Sequence, residues 1–219
     1  MLSSAAQQSV QASSGRDQPL PPEFLRKLSK EDINGLPQSQ YEGEILLVSE
    51  PEQLAPALER LQGDAVLGFD TETRPRFSKG KAHPPALLQL AGSELVVLVQ
   101  LKLAPFPEGL SALLANSAII KAGIAVRDDI KALQSLMSFM PAGFIDLGAC
   151  ARRAGLESSG LRPLAANFLG LRISKNAQCS NWGNQNLTAR QILYAATDAW
   201  ISRELYLRMR SLGLNLAVS

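Results

Sequence analysis

The chain is poor in the residues on which much enzyme chemistry depends. It has one histidine, His83, in 219 residues. That scarcity leaves almost no room for a histidine-rich zinc site or a Ser-His-Asp triad. There are two cysteines, Cys150 and Cys179, and no CxxC pair, so reduced thiols are expected rather than a disulfide framework. The formal charge of +2 is close to zero, and any contact with polyanions must come from local patches. No apolar run reaches the roughly 18 residues of a membrane span. The N-terminal stretch lacks a charged region followed by an apolar one, so no secretory signal is read and the expected location is cytoplasmic. Proton chemistry must then rest on carboxylates, Tyr, Lys or water activated by a metal.

What the chain does have is an ordinary globular composition, 46% apolar and 19% charged. That is enough for one domain with a sizeable core. Residues 1–22, rich in Ser, Gln, Ala and Pro, read as a mobile tail. Residues 21–37 read as a short helix stopped by Gly35 and Pro37. The division is therefore 1–40, a tail with a short helix, and 41–219, a folded domain. Strands are expected at "EILLV" (44–48), "AVLGF" (65–69), "ALLQLAG" and "ELVVLVQ", with shorter ones in "AIIKAGIA" and "GFIDLG". Helices are expected over 50–63, 107–117, 127–139, 160–170 and 187–213. The last begins at Thr188 with Gln191 three residues on, a capping box. Strands as a meander, then strands alternating with helices, predict an α/β three-layer fold: a mixed sheet with helices on both faces.

Carboxylates occur in three distant segments. In "LGFDTET", Asp70 and Glu72 are two apart at a strand end, so extended backbone points both to one face. In "LYAATDAW", Tyr194 and Asp198 are four apart and share one face of a helix. Asp128 and Asp129 open the helix after "AIIKAGIAV", where acids also favour the macrodipole. Taken alone, each has an ordinary reading: a solvated turn, a half-buried Tyr beside a surface Asp, a capped helix. Together they are the oxygen-rich set that hard divalent cations take in metal-dependent phosphoryl transfer.

Read in order, these segments resemble the three motifs of the DEDD-type 3′–5′ exonucleases, tyrosine subgroup. "LGFDTET" is similar to the first, "KAGIAVRDDIKAL" to the second, and "CSNWGNQNLTARQILYAATDAW" to the third. The resemblance runs from about residue 45 to 210 and implies a ribonuclease H-like fold. It also implies a metal-dependent exonuclease acting on nucleic acid with a free 3′ end, using two Mg²⁺ or Mn²⁺ ions. By the same resemblance the metal ligands are Asp70, Glu72, Asp128 and Asp198, with Tyr194 orienting the attacking water. Asp128 is preferred to Asp129 because Lys131 follows at the family's interval. Thr71, Thr73, Gly123 and Ile124 are expected at the terminal nucleotide. The basic loop with Arg74, Arg76, Lys79, Lys81 and His83 is expected at backbone phosphates or simply in solvent. Trp182 reads as a packing aromatic and Asp146 as a structural acid. A ribonuclease H-like module that holds nucleic-acid ends without cutting is the alternative, with a small-molecule phosphatase behind it.

Overall fold

The computed structural model describes residues 20–75, 83–102 and 108–217. Two short helices come first, α1 (Pro22–Leu25) and α2 (Lys30–Gly35), where the sequence predicts one; the chain is extended between them at Arg26 and Ser29. Ser29 and Asp32 close a reciprocal capping box on α2. The segment behind them is clamped by Arg172. Its backbone N–H donates to Pro37 O at 2.9 Å, Ser39 N–H donates to Arg172 O at 2.9 Å, and its Nε donates to Leu36 O at 3.1 Å. Leu20 is buried and Phe24 stacks on Phe168 at 5.3 Å. Residues 20–40 therefore pack on the domain, and residues 1–19 lie outside the described residues.

β1 (Glu44–Val48) leads through a 3₁₀ turn at Pro51–Gln53 into α3 (Leu54–Glu59). β2 (Val66–Thr73), β3 (Pro85–Ala91) and β4 (Leu95–Gln100) form an antiparallel meander. Then come α4 (Glu108–Ala115), β5 (Ile120–Gly123), α5 (Val126–Gln134), β6 (Phe144–Asp146) and α6 (Leu147–Arg153). α7 (Leu161–Leu164) runs into a π turn, Ala165–Leu169, and α8 (Ala189–Ser211) ends the fold. The sheet order is β1-β4-β3-β2-β5-β6, with β1 parallel to β4 and β5 parallel to both β2 and β6. This is the expected mixed sheet. β1 is not part of the meander: it lies at its far edge beside β4, and α3 carries the chain from β1 across to β2.

Alternation along β2 decides what each face carries. Leu67 and Phe69 enter a core with Leu54 and Leu58 of α3, Leu110 and Leu114 of α4, and Val126 and Leu133 of α5. Val66 joins a second cluster with Ile201, Leu205 and Met209 of α8. Gly68 lies directly beneath α8, where a Cβ would collide with the carbonyl of Ala199. Only glycine lets the helix come this close to the central strand. The long helix is thereby held against β2 with Tyr194 and Asp198 near the strand's C-terminal end.

Candidate active site

β2 is longer than the sequence suggests. Pairing with β3 continues through Glu72↔Leu87 to Thr73↔Pro85, so Asp70 and Glu72 lie within the strand rather than in a turn beyond it. The parallel partner β5 pairs with β2 only as far as Gly68↔Ala122. Beyond that point the chain leaves β5 and turns into α5, opening the crevice beside Asp70 where α/β sites collect. The turn passes through Ala125, a non-glycine residue in the left-handed region with φ 56°.

Four carboxylates influence one another here. Burial pushes the Asp70 carboxyl well above the usual carboxylate range, with Asp198 and Asp129 adding to it. Glu72 is pushed up to about 9, first by burial and then by Asp70, Asp198 and Asp129. Asp129 and Asp198 are each raised by burial to about 6. Thr71 N–H donates to Asp70 Oδ1 at 2.9 Å, and the Thr71 hydroxyl donates to Asp129 Oδ1 at 2.5 Å. Tyr194 donates its hydroxyl to Asp198, one helical turn on. Burial, followed by the charge of Asp198, pushes the Tyr194 phenol upward, so it stays protonated as a donor.

The structure brings Asp129 to this cluster and not the expected Asp128. Asp128 is exposed, and Asp129 is the residue tied to Thr71 and felt by Asp70 and Glu72. The reason is helical geometry. Val126 and Leu133 are buried on the inner side of α5, and Asp129, three residues after Val126, shares that side. Asp128 is turned about 100° away. The buried stripe of α5 carried this signal, and the interval to Lys131 outweighed it.

Arg162 also reaches the site, though no motif in the sequence marks it. Its Nη2 donates to Ser174 O at 3.3 Å and meets Tyr194 Oη at 3.5 Å, and its Nη1 donates to Gln178 Oε1 at 3.3 Å. Its charge opposes the upward shifts of both Tyr194 and Asp198. Trp182 is buried against Tyr194 with ring centroids 6.0 Å apart, as a packing aromatic should be. Asp146 caps α6 by accepting Ala149 N–H at 3.0 Å.

Of the residues expected at the terminal nucleotide, Thr71 spends its hydroxyl on Asp129 and Thr73 is exposed at the end of β2. Gly123 is packed so that a Cβ would lie 2.8 Å from Val126 Cγ1, and Ile124 is half-buried beside it. One cavity reaches an acid of the cluster, and a second lies at Arg74, two residues beyond Glu72. The first, of about 330 Å³, runs from Gln38–Gln40 past Ser174 to Arg190, Tyr194 and Asp198 of α8. The second, of about 210 Å³, is lined by Arg74, His83, Lys102 and Trp182. Arg76, Lys79 and Lys81 lie outside the described residues.

The donor set is all oxygen and mutually repulsive, which is what a hard divalent cation relieves. Asp70, Glu72, Asp129 and Asp198 are the residues that would hold it. As the side chains stand, no three His, Cys, Asp or Glu among the described residues are gathered around one point as an ion would draw them. No helix among the described residues is long and apolar enough to cross a membrane.

Known proteins resemble the chain over the region that carries this site. The chain is 36% identical over 174 residues to human exonuclease 3′-5′ domain-containing protein 2, covering 74% of this chain and 28% of the relative. It is 34% identical over 160 residues to the mouse bifunctional 3′-5′ exonuclease/ATP-dependent helicase WRN, covering 70% and 11%. Ribonuclease D of Gluconacetobacter diazotrophicus is 31% identical over 169 residues, covering 74% and 41%. The chain thus spans less than half the length of each of these relatives. In fold it matches the Aedes aegypti Nibbler exonuclease domain, with a TM-score of 0.70, 23% identity, and 80% and 92% of the two chains covered. Escherichia coli ribonuclease D also gives 0.70 at 23% identity, over 78% and 45%. The sheet and helices are those of the ribonuclease H-like fold. The 3′-5′ exonuclease family profile matches residues 45–213, and the chain belongs to the 3′–5′ exonuclease family.

Proposed function

We propose that this domain removes nucleotides one at a time from the 3′ end of a nucleic-acid strand by metal-dependent hydrolysis. The observation that carries the proposal is the meeting of Asp70, Glu72, Asp129 and Asp198 at one strand end, each raised by burial, with like charges adding to it at Asp70 and Glu72. Asp70, Glu72 and Asp198 would hold one Mg²⁺ or Mn²⁺, and Asp70 with Asp129 a second. Bound there, such a pair lowers the pKa of an attacking water and stabilises the departing 3′ oxygen. Tyr194, kept protonated, orients that water by donating or by holding Asp198, and is not itself the base. Arg162 keeps the Tyr194 hydroxyl in place and offsets negative charge beside it. The 330 Å³ cleft along α8 offers room beside the scissile group. Arg74, His83 and Lys102 offer a basic wall for phosphates further along the strand.

The test is a ladder assay. 5′-labelled single-stranded DNA, recessed duplex DNA and RNA are each incubated with Mg²⁺ or Mn²⁺. Stepwise shortening from the 3′ end, stopped by chelator, is expected on at least one substrate. Product lost only from the 5′ end, or cleavage indifferent to chelator, contradicts the proposal. Binding of 3′ ends without any shortening would instead leave an end-holding module.

A further inference from the structure

Gln89 sits in the middle of β3 with 0% of its surface exposed. Both amide atoms, Oε1 and Nε2, are buried without a hydrogen-bond partner. A buried amide left in this state is costly, and native interiors rarely tolerate one without a reason. Its place in the sheet supplies one. In the antiparallel register Gln89 stands directly opposite Asp70, and Glu72 is opposite Leu87, two residues away. Directly opposed residues share a face, with Cβ atoms roughly 4.5–5.5 Å apart.

That face is the one beneath α8. Leu87 and Ala91, two residues to either side of Gln89, pack with Tyr194, Ala195 and Ala199. Its partner on β4 is Leu98, which belongs to the same apolar cluster. The amide therefore has apolar neighbours along its own strand and on β4. The polar groups its register brings near are the carboxylates of Asp70 and, diagonally, Glu72. Asp70 already accepts Thr71 N–H at Oδ1, and a carboxylate can accept further donors at its other oxygen.

We infer that Gln89 is a positioning residue for Asp70: its Nε2 donates to the Asp70 carboxylate, directly or through one water, when the acids are loaded with divalent cation. Held from Thr71 on one side and Gln89 on the other, the carboxylate presents its lone pairs in a fixed direction. An amide suits this task because it carries no charge to compete with the ion. Gln100, one strand further on and on the same face, serves a different purpose. Its Nε2 donates to Asn184 O and Gln185 O and ties down the loop before α8.

The inference rests on the metal-dependent reading of the site, and the experiment separates the two. Mn²⁺ binding is measured by calorimetry on the full chain as wild type, Gln89→Met, Gln100→Met and Asp70→Asn, with melting temperatures taken in chelator. Gln89→Met keeps the length of the side chain and removes its hydrogen bonding. It should weaken Mn²⁺ binding about 10- to 100-fold while its melting temperature in chelator stays level or rises. Gln100→Met should bind Mn²⁺ as wild type does. Should Gln89→Met not fold, Gln89→Leu takes its place with the same expectation. Unchanged Mn²⁺ affinity in the Gln89 variant overturns the inference, as does an equal loss in Gln100→Met. Wild type that takes up no Mn²⁺ overturns the metal-dependent reading itself.

Discussion

The two faces of the sheet are built to opposite rules. Among the fully buried described residues, the face under α3, α4 and α5 carries one polar side chain, Lys121, whose Nζ donates to Leu113 O and Asn116 O, while the half-buried Thr71–Asp129 pair stands at its edge. The face under α8 buries Gln89 and Gln100 from the sheet and Gln191, Thr197, Asp198 and Ser202 from the helix. The contrast is sharpest between neighbours. Phe69 is fully buried and meets Phe144 edge-on at 5.1 Å, while Asp70, the next residue, points the other way into a cluster of acids. One face supplies stability and the other gives some of it up, since raised carboxylates and unpartnered amides are what a compact state avoids.

Breaking each face separately tests that division, and the largest effect belongs to the polar one. Asp70→Asn should lower the ladder rate by about 10³-fold or more, the several kcal/mol a metal centre supplies, without lowering the melting temperature in chelator. Phe69→Ala should do the reverse. It should cost about 3–5 kcal/mol of stability in urea unfolding, and the polarity of the ladder should persist wherever the variant is folded. Tyr194→Phe removes one hydroxyl from the polar face and should slow single-turnover cleavage about 100-fold with Mn²⁺ affinity nearly intact.

The exception on the apolar face gives the smallest effect. Burial lowers the Lys121 ammonium from 10.5 to about 8. Between about 8 and 10.5 the unfolded chain holds a proton that the folded protein has released, so this group makes stability rise with pH across that window. Below about 8 it is charged in both states and the gain is absent. The melting temperature of wild type relative to Lys121→Met should therefore climb between pH 8 and 10. A flat difference would place the ammonium in water.

The two faces also differ in how much of them can be read from sequence. Period-two alternation and the Thr188–Gln191 capping box locate the strands and α8, and spacing alone puts Asp70 with Glu72 and Tyr194 with Asp198. These are local relations. The partners that complete the site are separated in sequence: Arg162 from Tyr194 by 32 residues, Thr71 from Asp129 by 58. Gln89 meets Asp70 only through strand register, which no local pattern states. β1 beside β4 and the Arg172 clamp on residues 36–39 are equally non-local. Asp129 is the instructive case, because the stripe running from Val126 to Leu133 already marked its side of α5 as the inner one.

The central claim is that catalysis sits where the half-buried acids Asp70, Glu72 and Asp129 converge on the buried Asp198 at the end of β2. The most direct measurement compares initial 3′–5′ ladder rates of Asp129→Asn and Asp128→Asn under saturating Mn²⁺. Burial and the tie to Thr71 predict that Asp129→Asn loses activity by about 100-fold or more, while Asp128→Asn, on the exposed side of the helix, stays within about twofold of wild type. Loss confined to Asp128→Asn, with Asp129→Asn fully active, would contradict the account.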